Sequence, residues 1–384
     1  MNKQITYTDV YSQLEKLKSQ NLIISDEAFA ISALSRYGYS NLIKSYREPY
    51  IIRDNDSIYY KDGVTFEQIL SLFILDKNLR NSVMAAMLDL EEFIKEAAAD
   101  VISKSFSTAS AKYLNYRNYA NKKRRKKRFT LSETLEKIKK ALYSDKDPIH
   151  HYMSKYGDVP PWILFKGVYF TTIVNFVGFF KTPEQNEMIS HLYHDHYDFI
   201  YDDSMKKLMM DTLFICIDYR NMSAHGGRIY NYHSRNTLRK DEIFHADYGL
   251  MASGFSELLF ILSLLSYTTP FDRLNNALQY ELNRHCSLFP DDSEYLSKVL
   301  NIDIVEKDFV YYKASYSNNI GSNTGLAGIK EFPDQNATRS VRKICSSGHK
   351  RLTFSSEFQK NRCQMGRGLS HHGSADNAPS RIHK

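Results

Sequence analysis

The chain has 384 residues, 42% of them hydrophobic and 25% charged, with 9 Pro and 16 Gly. It can bury a large core in one or two domains, and it leaves room for long uninterrupted helices. Its net charge of +7 is uneven, because residues 315–384 hold 11 Lys+Arg against 4 Asp+Glu while residues 1–314 carry 40 of each sign. The four cysteines, Cys216, Cys286, Cys345 and Cys363, show no paired spacing, which argues against a disulfide framework and against a cysteine zinc site.

In chain order, residues 9–20 predict an amphipathic helix with Val10, Leu14 and Leu17 on one face. Asp26 then caps a second helix over 27–36. The aromatic string from Tyr37 to Tyr46 is expected to pack rather than to react. Residues 54–63 are polar and turn-rich around Tyr59-Tyr60. Thr65 and Gln68 are spaced as a capping box before a helical pattern that runs to about Phe106. Within it Glu91 and Lys95 stand four apart and face each other, as a surface ion pair or as a carboxylate that orients a functional side chain.

Polar residues 107–121 lead into Lys122-Lys123-Arg124-Arg125-Lys126-Lys127-Arg128, whose mutual repulsion predicts a solvated loop over 121–129. Such concentrated charge suits a polyanion. Thr130 and Glu133 cap the next helix. The apolar runs 161–180 and 248–267 are interrupted by Lys166 and Glu257, so buried helices are expected, with no membrane span. Trp162 is expected to anchor the core.

His191, His194, His196 and Asp198 do not follow a recurrent ligand spacing; solvated histidines are expected there, with no metal and no cofactor. Further helices are predicted over 202–225, 242–267, 271–286 and 292–300. Past about Ser315, Asn, Ser and Gly dominate and 7 of the 16 glycines occur, which predicts a disordered tail over 315–384. The start Met1-Asn2-Lys3-Gln4 lacks a signal-peptide core, so a reduced, cytoplasmic protein is expected.

The helix over 202–225 ends in Asp218-Tyr219-Arg220-Asn221-Met222-Ser223-Ala224-His225-Gly226-Gly227-Arg228. Arginine offers a rigid fork matched to phosphate, and histidine exchanges a proton near neutral pH. Five helical residues turn about 500°, leaving Arg220 and His225 roughly 140° apart. They reach a common stripe only if His225 lies in a loosened last turn, which the two glycines favour.

The spacing Arg-x4-His resembles the signature of the HEPN (higher eukaryotes and prokaryotes nucleotide-binding) superfamily. The longer string from Arg220 to Asn231 resembles the Abi-like proteins of bacterial abortive infection, of the AbiD/AbiF type. The similarity extends in order through the Gly38-Tyr39 region, Asp76-Lys77-Asn78-Leu79-Arg80, the Glu91/Lys95 pair and Pro160-Pro161-Trp162. Lys166 stands where the family has an acidic residue. Another HEPN branch is silenced by modification of a tyrosine at the place of Gly227, so that control is not expected here.

The resemblance implies an all-α fold, a HEPN-type helical bundle over 65–300 with an N-terminal helical region over 1–64. It also implies a metal-independent endoribonuclease that acts as an abortive-infection toxin in phage defence. Arg220, Asn221 and His225 would be catalytic, with Glu91 and Lys95 supporting them. Lys122, Lys123, Arg124, Arg125, Lys126, Lys127, Arg128, Arg228 and Tyr230 would contact RNA. One motif per chain supplies one histidine, so a homodimer is expected. The alternative is a non-catalytic RNA-binding protein that uses the motif as a phosphate clamp, partnered with a small antitoxin RNA.

Overall fold

A computed structural model describes residues 7–54, 57–121, 129–193, 197, 199–245 and 252–302. The basic run 122–128, the residues His194, His196 and Asp198, and the expected tail over 315–384 lie outside the described residues. Two N-terminal helices, α1 (Val10–Ser19) and α2 (Glu27–Tyr37), precede a hairpin of β1 (Ile51–Asp54) and β2 (Ser57–Tyr60). The long helix α3 (Phe66–Ser105) follows, then α4 (Ser110–Tyr113), α5 (Leu131–Ala141), α6 (Ile149–Tyr156), α7 (Pro161–Leu164) and α8 (Phe170–Val177). The chain continues through α9 (Thr182–Leu192), α10 (Met205–Ala224), α11 (Lys240–Ile243), α12 (Phe255–Ser263), α13 (Thr269–Cys286) and α14 (Asp292–Leu300). Among the described residues the fold is all-α apart from this one small hairpin.

The caps explain where the N-terminal helices begin. Asp9 accepts from the Ser12 amide and Asp26 from the Phe29 amide, each satisfying an orphan donor of a first turn. Thr65 caps α3 in the same way through Gln68 N at 3.1 Å. The Gln68 side chain reaches instead to Asp292 Oδ1 at 3.0 Å. At α5 both halves of the box form between Thr130 and Glu133.

With 40 residues, α3 is about 60 Å long and forms the axis of the molecule. Its buried positions begin at Phe66, Ile69, Leu70 and Phe73 and continue through Val83, Met87, Leu90 and Ile94. Near its C-terminus Ala97, Ala98 and Ala99 are buried in succession, so small side chains let neighbours close in on more than one face. Helices α13, α10, α9, α8 and α7 pack along it.

The core is continuous across the expected boundary at 64/65. Leu17, Leu34, Ile43 and Tyr46 belong to the same buried cluster as the body of α3. The Ile23 amide donates to Val64 O and the Phe66 amide donates to Ile23 O.

Three expectations are corrected. The polar stretch 54–63 contributes to a hairpin whose register pairs Ile51 with Tyr60 and Asp54 with Ser57. Tyr60 is buried, so cross-strand burial outweighs the polar composition. The helix expected over 242–267 is broken, because Gly254 at φ +59° starts α12 and a Cβ there would lie 3.0 Å from His233 Cε1 and 3.2 Å from Tyr232 O. Trp162 does not anchor the core: it is 39% exposed, while Pro161, Ile163 and Leu164 of the one-turn α7 point inward. The run 161–180 is likewise divided into α7, a 3₁₀ turn and α8. Among the described residues no helix is long and apolar enough to cross a membrane.

A buried polar cluster joins α3, α13 and α14. His285, fully buried, places Nδ1 2.9 Å from Ser71 Oγ and Nε2 2.9 Å from Asp292 Oδ2. Tyr50 donates to the same Asp292 oxygen at 2.7 Å. Desolvation holds the His285 ring below the ordinary histidine value, against the pull of Asp292. A lowered folded pKa means that the unfolded chain takes up a proton which the folded ring resists. Stability is therefore complete above about pH 6.5 and is lost as pH falls through the window below it, by up to about 1.4 kcal/mol per pH unit. Urea unfolding at pH 7 and pH 5 should show a shallower acid loss in His285→Gln than in the unaltered chain. Equal slopes would rule the assignment out.

Candidate functional site

The last turn of α10 closes as a Schellman motif. The Gly227 amide donates to Met222 O at 3.0 Å, the Gly226 amide to Ser223 O at 3.2 Å, and Gly226 takes φ +71°. Glycine suits this left-handed position because it carries no Cβ to clash. His225 is the cap residue, at φ −91° and ψ 11°, and its amide still donates to Asn221 O at 3.1 Å. The loosened last turn read from the two glycines is therefore present, and His225 is exposed.

One turn and a half earlier, Arg220 leans on α3. Its Nε lies 4.0 Å from Glu91 Oε2, and Lys95 Nζ lies 2.7 Å from Glu91 Oε1. The side chains are 31%, 12% and 14% exposed for Arg220, Glu91 and Lys95, so the carboxylate is nearly enclosed while the arginine is half open. Arg220 Nε and Glu91 Oε2 are buried, and neither has a hydrogen-bond partner among the described residues. At 4.0 Å their link is electrostatic, and one carboxylate between two cations leaves a net positive charge beside the helix end.

The loop after the helix is held by groups that the sequence reading quoted as part of the resemblance, or passed over, without assigning them a role. Asp76 of α3 is fully buried and accepts from the amides of Ile229 and Tyr230, both at 2.7 Å, and from Tyr46 Oη at 2.6 Å. Burial pushes this carboxyl up, and those three bonds together with nearby Arg80 oppose the shift. Arg80 Nη1 donates to Gly226 O at 3.2 Å and to Gly227 O at 3.3 Å. Further along, Asp218 accepts from Ser234 Oγ at 2.7 Å and from Asn236 Nδ2 at 2.9 Å. Arg239 forks onto Asp211 with two contacts of 2.9 Å.

The remaining predicted residues are distributed as follows. Arg228 is exposed and donates from Nη1 to Ser45 O at 2.5 Å. Tyr230, expected to grip RNA, is 1% exposed, stacks on Tyr46 at 6.0 Å and meets Tyr295 Oη at 3.1 Å. It is a core residue because Asp76 draws its backbone inward. Asn221 is half-buried on α10 beside Arg220. His191 pairs with Asp100 at 2.9 Å, and Lys104 contacts the same Asp100 at 2.6 Å. Asp100, Glu187 and His191 have the donor chemistry for a metal, their ligand atoms lying within 4.8 Å of one another, but the Lys104 ammonium already bridges the two carboxylates.

The role of these residues had a signal beyond the resemblance. Asp76 interrupts the apolar positions Leu72, Phe73, Leu75 and Leu79, and a charge in a buried stripe requires partners.

Fold and site together define an all-helical protein in which a cation and an exposed histidine cap one helix and are braced by a second. The model of the family described as Abi-like protein matches residues 32–231, and the chain belongs to that family. The matched region includes α3, the Glu91/Lys95 pair and the whole Arg220–Tyr230 motif. No curated protein and no solved structure matches the chain.

Removing the Glu91 charge leaves Lys95 and Arg220 facing each other half-buried. Glu91→Gln should cost about 2 kcal/mol in urea unfolding, and adding Lys95→Met should restore most of it. If the double variant were no more stable than the single one, the three charges would not act as a unit.

Proposed function

We propose that this protein is a metal-independent endoribonuclease of abortive infection, acting in the cytoplasm as a homodimer. The observation that carries the reading is the helix end itself. Arg220 rests its Nε against the enclosed Glu91, the guanidinium remains half open, and His225 stands in solvent at the cap. A guanidinium held by one edge keeps its other donors for a phosphate.

In the proposed reaction an RNA 2′-hydroxyl attacks the adjacent phosphorus. One His225 takes the 2′-hydroxyl proton. The P–O5′ bond breaks as the new P–O2′ bond forms, and the His225 of a second subunit gives a proton to O5′. The products are a 2′,3′-cyclic phosphate and a free 5′-hydroxyl, with atoms and charge balanced. Arg220 stabilises the charge that builds on the non-bridging oxygens, and Asn221 hydrogen-bonds the phosphate or steadies His225. Lys95 and Glu91 hold Arg220 in place. Arg228 and the run 122–128 offer backbone contacts blind to sequence and weakened by salt. Tyr230 has no part in this, since its ring is enclosed.

A 5′-labelled RNA oligonucleotide tests the scheme. Cleavage should persist in EDTA, yield cyclic-phosphate ends and spare both DNA and RNA with a 2′-deoxy residue at the scissile position. Arg220→Ala and His225→Ala should each slow it by at least about 10²-fold, and Arg220→Lys should not rescue, since a point charge lacks the fork. If both alanine variants cut at the unaltered rate, the proposal is wrong. Full RNA affinity without any cleavage would favour the phosphate-clamp reading with an antitoxin RNA.

A further inference from the structure

We infer that Asp76 and Arg80 are positioning residues for His225, acting through the loop that the histidine opens; the inference rests on the ribonuclease reading above. Two groups on one turn of α3 account for four backbone bonds in that loop. Arg80 donates to the carbonyls of Gly226 and Gly227, and Asp76 accepts from the amides of Ile229 and Tyr230. The two side chains also face each other, with Arg80 Nη1 3.7 Å from Asp76 Oδ2. Arg80 is 15% exposed and Asp76 is enclosed, so the pair works with little competition from water.

Simple packing does not call for this arrangement. A carboxylate in a core stripe of α3 is costly, and an apolar side chain would fill the space without that cost. A carboxyl group offers two oxygens to three donors here, with the two adjacent amides on Oδ1 and the tyrosine hydroxyl on Oδ2, which an apolar side chain could not do. The same helix carries Glu91, fifteen residues or about 22 Å further on, against Arg220. One rigid rod thus holds both ends of the Arg-x4-His motif: the cation through Glu91, and the chain leaving the histidine through Asp76 and Arg80. Among the described residues the His225 side chain has no hydrogen-bond partner, so its direction depends on the backbone on either side, and one of those sides is set by this clamp.

The full-length protein tests this with Asp76→Asn and Arg80→Lys. Single-turnover cleavage of an RNA oligonucleotide and affinity for its 2′-deoxy-substituted, uncleavable form are measured, together with amide exchange at 225–230. Ile138→Ala, a buried substitution in α5, controls for general loss of stability. Asp76→Asn should cut at least tenfold more slowly, bind within about threefold of the unaltered chain and exchange faster at Ile229 and Tyr230. Arg80→Lys should fall between the two, and Ile138→Ala should keep the rate while its melting point drops. A normal rate in Asp76→Asn with a loosened loop would overturn the inference, as would a rate loss matched by the α5 control. If the unaltered chain cuts no RNA, the ribonuclease reading falls separately. Unchanged protection at 229 and 230 would then overturn the clamp on its own.

Discussion

The loop that follows His225 depends on a buried carboxyl group, Asp76, that exchanges its hydration for two backbone amides and a tyrosine hydroxyl. Taking a charge out of water is tolerable only when several donors replace the water. Here those donors come from two places in the chain, the N-terminal segment through Tyr46 and the loop after α10, while the Arg80 charge on α3 stands 3.7 Å away. The bond network therefore ties together the elements that the family match spans. The Arg228 contact to Ser45 repeats the connection at the surface.

The site combines restraint and exposure. Around Arg220 the restraint comes from Glu91 and Lys95, both nearly enclosed. Around His225 it comes from the Schellman turn and the loop contacts, while the ring itself faces solvent. Similar restraint appears without exposure at His285, which lies between Ser71 and Asp292 in the interior. The contrast separates the two histidines chemically. The interior one is held below the ordinary histidine value by burial and links helices, whereas the exposed one is open to solvent.

Much of this was legible in the residues. Caps at Asp26, Thr65 and Thr130 announce helix starts because a short polar side chain is the usual solution to orphan amides. The α3 pattern is long and strongly periodic, and the glycine pair ends α10 as expected. Other features depended on tertiary context. Tyr60 lies in a polar stretch, and only its partner strand makes it a core residue. Gly254 resembles any glycine in a helical run until His233 is found beside it. Tyr230 follows an exposed Arg228, and nothing local reveals that Asp76 pulls it inside. Trp162 erred in the opposite direction, because one helical turn cannot bury every apolar side chain it carries.

Helix α3 also implies a rule about chain length. Between Arg80 and Glu91 any inserted or deleted residue would turn one contact away from α10 by about 100° relative to the other. That interval should be the least forgiving of indels in the molecule. The segment joining α5 to α6 carries neither contact, so a change of length there leaves the motif in register.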